Sequence, residues 1–242
     1  MFVTNYKGAK SDQIYLEARK AFSAKVGTRE LFSIIDHWPL YVGNGNIGRF
    51  LAIYEIVKQQ LRVAGDIAEF GSWRGANLMF ITKVMHFLDP NGAKRVHCFD
   101  NFEGLPEFSA ADGDEQGRVG MYRGSLEEIT ASIELYGFTD TIAIHKGLIE
   151  DTLPAYLDAN QATSFSLIYF DADLYEPAVT VLRHGHERLS RGGVFVFDEW
   201  NSEGWPGEGL AVREFMAKFG ASYEMESVPG TRQPSLVLRK LV

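Results

Sequence analysis

The chain has 242 residues, 45% of them hydrophobic and 23% charged, with a formal charge of −8. That length buries a sizeable core without disulfides, and the single cysteine, Cys98, allows no intrachain bridge. The acidic balance argues against a general nucleic-acid binder, which needs a basic face. No apolar run nears the roughly 20 residues of a membrane span, and Met1–Lys7 carries no leader pattern, so a cytoplasmic protein is expected.

Two short helices are predicted around Ser11–Lys25 and Thr28–Ile35. Ile47, Phe50, Leu51, Ile53, Tyr54, Ile56, Val57 and Leu61 recur at helical spacing. Gly65-Asp66 ends that helix, and Ile67–Phe70 reads as the first strand. A glycine-bearing turn, Gly71–Gly75, leads into a helix over Ala76–Phe87. Strands follow at Arg95–Phe99, Thr141–His145, Ser166–Phe170 and Val194–Phe197. Between them lie helices over Leu126–Tyr136 and Pro177–Leu189, the latter opening on a proline whose missing N–H costs little there. Ser190–Gly193 reads as a turn. A helix over Leu210–Phe219 and two strands, Tyr223–Val228 and Ser235–Leu241, complete the chain.

Strands alternating with helices imply an α/β protein with a mainly parallel sheet covered on both faces. The terminal strand pair adds an antiparallel edge. The expectation is one domain over 1–242, with an N-terminal helical extension or lid over 1–62 and a core over 63–242. Asn101–Gly124 is the longest stretch without a clear element, and a loop of that length is functional or mobile.

Carboxylates gather at the strand ends. Asp171, Asp173 and Glu176 follow one apolar run, and Asp198-Glu199 follow another. Such positions face the crevice at the carboxyl edge of a sheet. Several anionic oxygens converging there repel one another, and a hard cation such as Mg²⁺ relieves that repulsion. The 27 positions between Asp171 and Asp198 fit one crossover helix between neighbouring parallel strands.

The turn after the first strand reads Gly71-Ser72-Trp73-Arg74-Gly75, a G-x-x-x-G pattern in place of the G-x-G-x-x-G of dinucleotide enzymes. Trp73 within it disfavours a pyrophosphate. Asp100, ending the second strand, is placed for the two hydroxyls of a ribose, and Glu69 for the amino-acid end of a small zwitterion. Together these residues suit S-adenosylmethionine better than NAD. Cys98 reads as a small buried hydrophobe, and His145, His184 and His186 as structural or solvated residues.

With these blocks in order, the chain resembles the macrocin O-methyltransferase family of class I methyltransferases. The resemblance rests on Gly65–Gly75, Asp100–Pro106, Ser125–Glu128, Lys146-Gly147, Asp151–Pro154, Asp171–Glu176, and Leu189–Gly193 with Asp198-Glu199. It implies a Rossmann-like fold with a seven-stranded, mostly parallel sheet, an antiparallel C-terminal strand and an N-terminal helical extension. It implies S-adenosylmethionine at the first glycine turn, around Gly71, Ser72, Arg74 and Gly75, with Ser125, Gly147 and Leu148 at the adenosine. It implies Mg²⁺ held by Asp171, Asp198 and Glu199, and Asp173 as general base. It also suggests a homo-oligomer and a small-molecule hydroxyl acceptor, a sugar or other natural-product diol. The chain departs from the family pattern at Ser72, Leu148, Ala172 and Glu199.

Methyl transfer to an alcohol is an in-line displacement that needs both reactants aligned and the hydroxyl proton removed. Metal-chelated hydroxyls and the Asp173 carboxylate would meet both needs. Two other readings compete: a nicotinamide oxidoreductase on the same sheet, disfavoured by the missing G-x-G-x-x-G, and a non-catalytic S-adenosylmethionine-binding protein, for which Glu199 is the one sign.

Overall fold

The apolar runs become the strands of one sheet. In the computed structural model, residues 31–113 and 116–242 are described, together with residue 14. The strands are β1 (Asp66–Phe70), β2 (Val96–Asp100), β3 (Ile142–Lys146), β4 (Phe165–Phe170), β5 (Leu189–Phe197), β6 (Tyr223–Ser227) and β7 (Leu236–Lys240). The helices are α1 (Leu31–Ile35), α2 (Asn44–Gln60), α3 (Ala76–Leu88), α4 (Leu126–Tyr136), α5 (Ile149–Ala159), α6 (Tyr175–Arg188) and α7 (Pro206–Phe219). The helix expected over Ser11–Lys25 lies outside the described residues, residue 14 apart. Among those described, no helix is long and apolar enough to cross a membrane.

The sheet order is β3-β2-β1-β4-β5-β7-β6. β7 alone runs against the others, pairing antiparallel with both β5 and β6. The reversed strand therefore sits one in from the edge. Chain direction switches between β1 and β4, the place where open α/β sheets bind ligands.

Two differences from the sequence reading stand out. Helix α5, with Pro154 inside it, was not expected. Ile149, Leu153 and Leu157, one turn apart, nonetheless bury one face. Pro154 removes a single amide, the one aimed at the Glu150 carbonyl. The turn expected at Ser190–Gly193 lies inside β5 as an irregularity: Phe165 pairs with Leu189, but Leu167 pairs with Val194.

The register positions the site. Phe70 pairs with Phe99 on one side and Phe170 on the other, and Phe170 pairs with Phe197. These four phenylalanines pack under α5, α6 and α7, in one core with Leu153, Val181 and Val212. Side chains alternate faces along a strand. The next rung, Asp100, Gly71, Asp171 and Asp198, therefore turns to the other face, the one covered by α2, α3 and α4. The ladder runs one step past the strands, with Gly71 N–H bonding Phe99 O (3.0 Å), Asp171 N–H bonding Phe70 O (2.8 Å) and Asp198 N–H bonding Phe170 O (3.2 Å).

Gly71 is where that rung needs glycine. Its φ is +82°, and a Cβ there would lie 2.2 Å from the Asp171 carbonyl oxygen. Gly71→Ala should destabilise the fold by more than the ~1–2 kcal/mol of a left-handed non-glycine residue alone, because β1 and β4 must also part at their ends. Chemical denaturation checks this; a loss under ~1 kcal/mol would show that the strand ends yield easily.

Candidate active site

A cavity of about 470 Å³ opens at the switch point. Gly71, Ser72, Asp100, Gly147 and Leu148 line it, and so do Asp171, Asp173, Asp198 and Glu199. The strand ends thus bring the two expected groups of residues to one space. Asp100 is held by backbone amides: its Oδ2 accepts from Ser72 (2.7 Å) and Trp73 (3.0 Å), and its Oδ1 from Phe102 (2.6 Å). That clamp fixes the glycine turn against β2. Trp73, at φ +47°, is half exposed and meets Tyr122 edge-on at 5.7 Å between ring centroids. Asp173 has φ +64° and Tyr122 +59°. Strained non-glycine backbone of this kind concentrates at functional sites.

Four expected residues are absent from the cavity lining. Glu69 is fully buried behind it, accepting a bond from Ser72 Oγ (2.6 Å) and leaving Oε1 without a partner. Arg74 is exposed and pairs with Glu128 at 3.2 Å. Gly75 starts α3 with φ +77°, where a Cβ would press on Ile129. Ser125 caps α4, accepting the Glu128 amide. Tyr175 turns outward to bond Glu214. His145 stacks on Phe99 and meets His97 at 3.1 Å.

Burial pushes the Glu69 carboxyl up to about 8, against the pull of the Ser72 hydrogen bond. The folded state therefore holds a proton that the unfolded chain releases near its ordinary value of 4.5. This contribution is fully present below 4.5 and is lost as pH rises through about 8. Glu69→Gln, neutral throughout, should flatten that decline in unfolding free energy. An unaltered slope across the interval would mean that Glu69 is ionised when folded.

The sequence reading missed the cation. Arg49 of α2 reaches the acid rung, its Nη2 donating to Asp171 Oδ2 at 2.7 Å and its Nη1 to Asp198 Oδ2 at 2.8 Å. Nε donates to Asn77 Oδ1 at 3.3 Å, and Tyr169 OH donates to Asp198 Oδ1 at 2.6 Å. The signal lies in helical spacing. Ile53, Val57 and Gln60 are buried on α2, and Arg49 stands one turn before Ile53 on the same stripe. That stripe covers the face to which Asp171 and Asp198 turn.

The acids shift one another. Burial, then the charge of Asp198, pushes the Asp171 carboxyl well above the usual range, against Arg49. Burial, then Glu199 and Asp198, does the same to Asp173. Glu199 is raised by burial and by Asp198, and its Oε1 accepts from Gln233. Glu208, in the first turn of α7, accepts the Glu199 amide at 2.8 Å and leaves Oε2 buried without a partner.

Residues 101–113 and 116–124 form a wall of the cavity. Leu105 and Phe108 pack with Leu174 and Trp205 in a small core of their own. Asp112, buried within it, accepts the Tyr175 amide at 2.7 Å and so caps α6 from a distant loop. Leu105, Tyr122 and Trp205 face the cavity, giving the side next to Asp173 an aromatic surface.

A family model, macrocin O-methyltransferase (TylF), matches residues 37–231. The chain belongs to the macrocin O-methyltransferase family. It is similar, at 31% identity over 70% of its length, to the 8-demethyl-8-(2,3-dimethoxy-alpha-L-rhamnosyl)-tetracenomycin-C 4'-O-methyltransferase of Streptomyces olivaceus, covering 64% of that protein. It is 25% identical, over 69% of its length, to the mycinamicin III 3''-O-methyltransferase of Micromonospora griseorubida, covering 66% of it. The match thus spans just under two thirds of each relative's own length. Among solved structures, CalS11, a calicheamicin methyltransferase, superposes with a TM-score of 0.81 at 25% identity, covering 98% of this chain and 95% of that one. The stretch matching the macrocin O-methyltransferase model takes in Arg49 and every acid of the cavity.

Proposed function

We propose that the protein is an S-adenosylmethionine-dependent O-methyltransferase acting on a hydroxyl of a small natural product, a sugar or a related diol. One observation carries this reading. The glycine turn with Asp100, suited to the methyl donor, and the acids suited to an alcohol acceptor line a single cavity. The names of the relatives point the same way, both denoting O-methyl transfer and one a rhamnosyl group.

The residues present fit the donor. Gly71 has no side chain to fill the crevice, and Asp100 and Leu148 lie on its wall. When bound, S-adenosylmethionine supplies a sulfonium methyl, an electrophile that needs no further activation. The protein's tasks are then alignment and proton removal. Trp73, Tyr122, Leu105 and Trp205 hold the acceptor's apolar surface and keep water out. Asp173, lifted by burial and then by its acidic neighbours, is a stronger base than a solvated carboxylate. It takes the hydroxyl proton as the acceptor oxygen bonds to carbon and the carbon–sulfur bond breaks.

A divalent cation does not fit the acids as they stand. Arg49 occupies the facing oxygens of Asp171 and Asp198, and Glu199 is turned to Gln233. Among the described residues, no group of three or more His, Cys, Asp or Glu side chains is arranged to hold a metal. No step is therefore routed through Mg²⁺.

Calorimetry with S-adenosylhomocysteine and with NAD separates the readings. Binding of the former alone is expected; binding of NAD alone would replace this function with an oxidoreductase.

A further inference from the structure

We propose that Arg49 and a divalent cation are alternative occupants of the Asp171–Asp198 carboxylate pair, so that the guanidinium excludes the metal. The oxygens decide this. Asp171 Oδ2 and Asp198 Oδ2 both point at Arg49, at 2.7 and 2.8 Å. An ion bridging the two aspartates needs those same oxygens, at ~2.0–2.1 Å for Mg²⁺. A guanidinium in hydrogen-bond contact with both fills the space between them and repels a second cation. The other Asp198 oxygen is taken by Tyr169 OH at 2.6 Å.

Arg49 is a fitting occupant on its own terms. Its planar fork reaches two acceptors at once, which a lysine cannot do. Its side chain is only 18% exposed, and Asn77 takes the remaining Nε–H. Yet the compensation is incomplete. Arg49 faces Asp171 and Asp198, with Asp173, Glu199 and the buried Glu208 close behind, and only the charges of Arg118 and Arg232 act on Asp173 and Glu199 in addition. A cluster with that surplus of carboxylates draws a doubly charged ion once the arginine is gone. The exchange also links the metal to the fold, since Arg49 ties α2 to the ends of β4 and β5.

The proposal rests on reading these acids as the acceptor half of a methyltransferase, but its test needs neither donor nor acceptor. Free Mn²⁺ is titrated against the full chain by electron paramagnetic resonance. Arg49→Met is expected to bind Mn²⁺ at least tenfold more tightly than the wild type. Arg49→Lys, which cannot bridge both aspartates, is expected to gain at least threefold. Equal or weaker binding by the variants overturns the proposal, because Arg49 would then be neutral toward the metal or help it. Absence of Mn²⁺ binding in wild type and variants alike overturns it too, because the pair would be no cation site. Should Arg49→Met fail to fold, Arg49→Lys carries the titration under the same criterion, and no gain overturns the proposal. A methyltransferase that works without metal would leave these affinities unchanged, so failure here is distinct from failure of the proposed function.

Discussion

Asp173→Asn should lower kcat by about 10²–10⁴-fold, the range that a positioned general base contributes, while donor affinity stays within about threefold. The amide keeps the shape of the carboxylate and tolerates the left-handed backbone, φ +64°, at which Asp173 sits. It cannot accept the hydroxyl proton. Asp173 lines the cavity beside Tyr122 and Trp205, and the glycine turn lies on the same wall. The substitution therefore removes a proton acceptor and leaves the donor pocket in place. The sign of the pH effect also follows. The wild-type rate should rise with pH as Asp173 ionises, at a pH well above the usual carboxylate range because burial, Glu199 and Asp198 disfavour its charge. The variant should lose that limb. A kcat unchanged by Asp173→Asn would remove this residue as the base.

Asp198→Ala should destabilise the fold by about 3–5 kcal/mol, the scale for removing one partner of a buried ion pair. The Asp198 side chain is fully buried and satisfies two groups, Arg49 at 2.8 Å and the Tyr169 hydroxyl at 2.6 Å. Alanine leaves one of the three hydrogen bonds of a buried guanidinium unmade and strands a buried phenol. Asp171→Ala should be milder, because that side chain is 24% exposed and water can replace it. Urea unfolding of the two variants checks the order; equal losses would mean that Arg49 finds another partner at either position.

Most of the fold was legible because its signals are local and periodic. Leu126–Tyr136 occurs with the predicted bounds, and every predicted strand lies within a residue or two of its place, except that β5 starts five residues early, at Leu189. The strand-end acids were legible for the same reason: a short apolar run fixes where its last residue emerges. What failed depends on distant partners. The helix over Ile149–Ala159 was missed; it holds Pro154, and packing on the sheet offsets the lost bond by burying Ile149, Leu153 and Leu157. Leu51 reads as one of the apolar positions of a helix, but the structure leaves it 61% exposed and turns Arg49 inward, its side chain 18% exposed. Only a partner across 122 and 149 positions makes burying an arginine favourable. Asp112 likewise caps α6 from 63 positions away, a contact with no local signature.

Glu69 marks the opposite limit. Its place at the end of β1 was legible, yet its side chain lies behind the cavity wall against Ser72 and Cys98. Glu69 stands two residues before Gly71 and so points to the same face, one rung deeper, where Ser72 of the following turn covers it. Here Gly71 and Ser72 face the cavity, and Glu69 supports them from beneath.

The central claim is that donor and acceptor meet in one cavity and that Asp173 removes the proton. Incubation with S-adenosylmethionine carrying a labelled methyl, against a panel of glycosides and catechol-like diols, tests it most directly. The expected result is label on an acceptor oxygen, formed by the wild type and lost in Asp173→Asn. Label on nitrogen or carbon, or equal transfer by Asp173→Asn, would contradict the account.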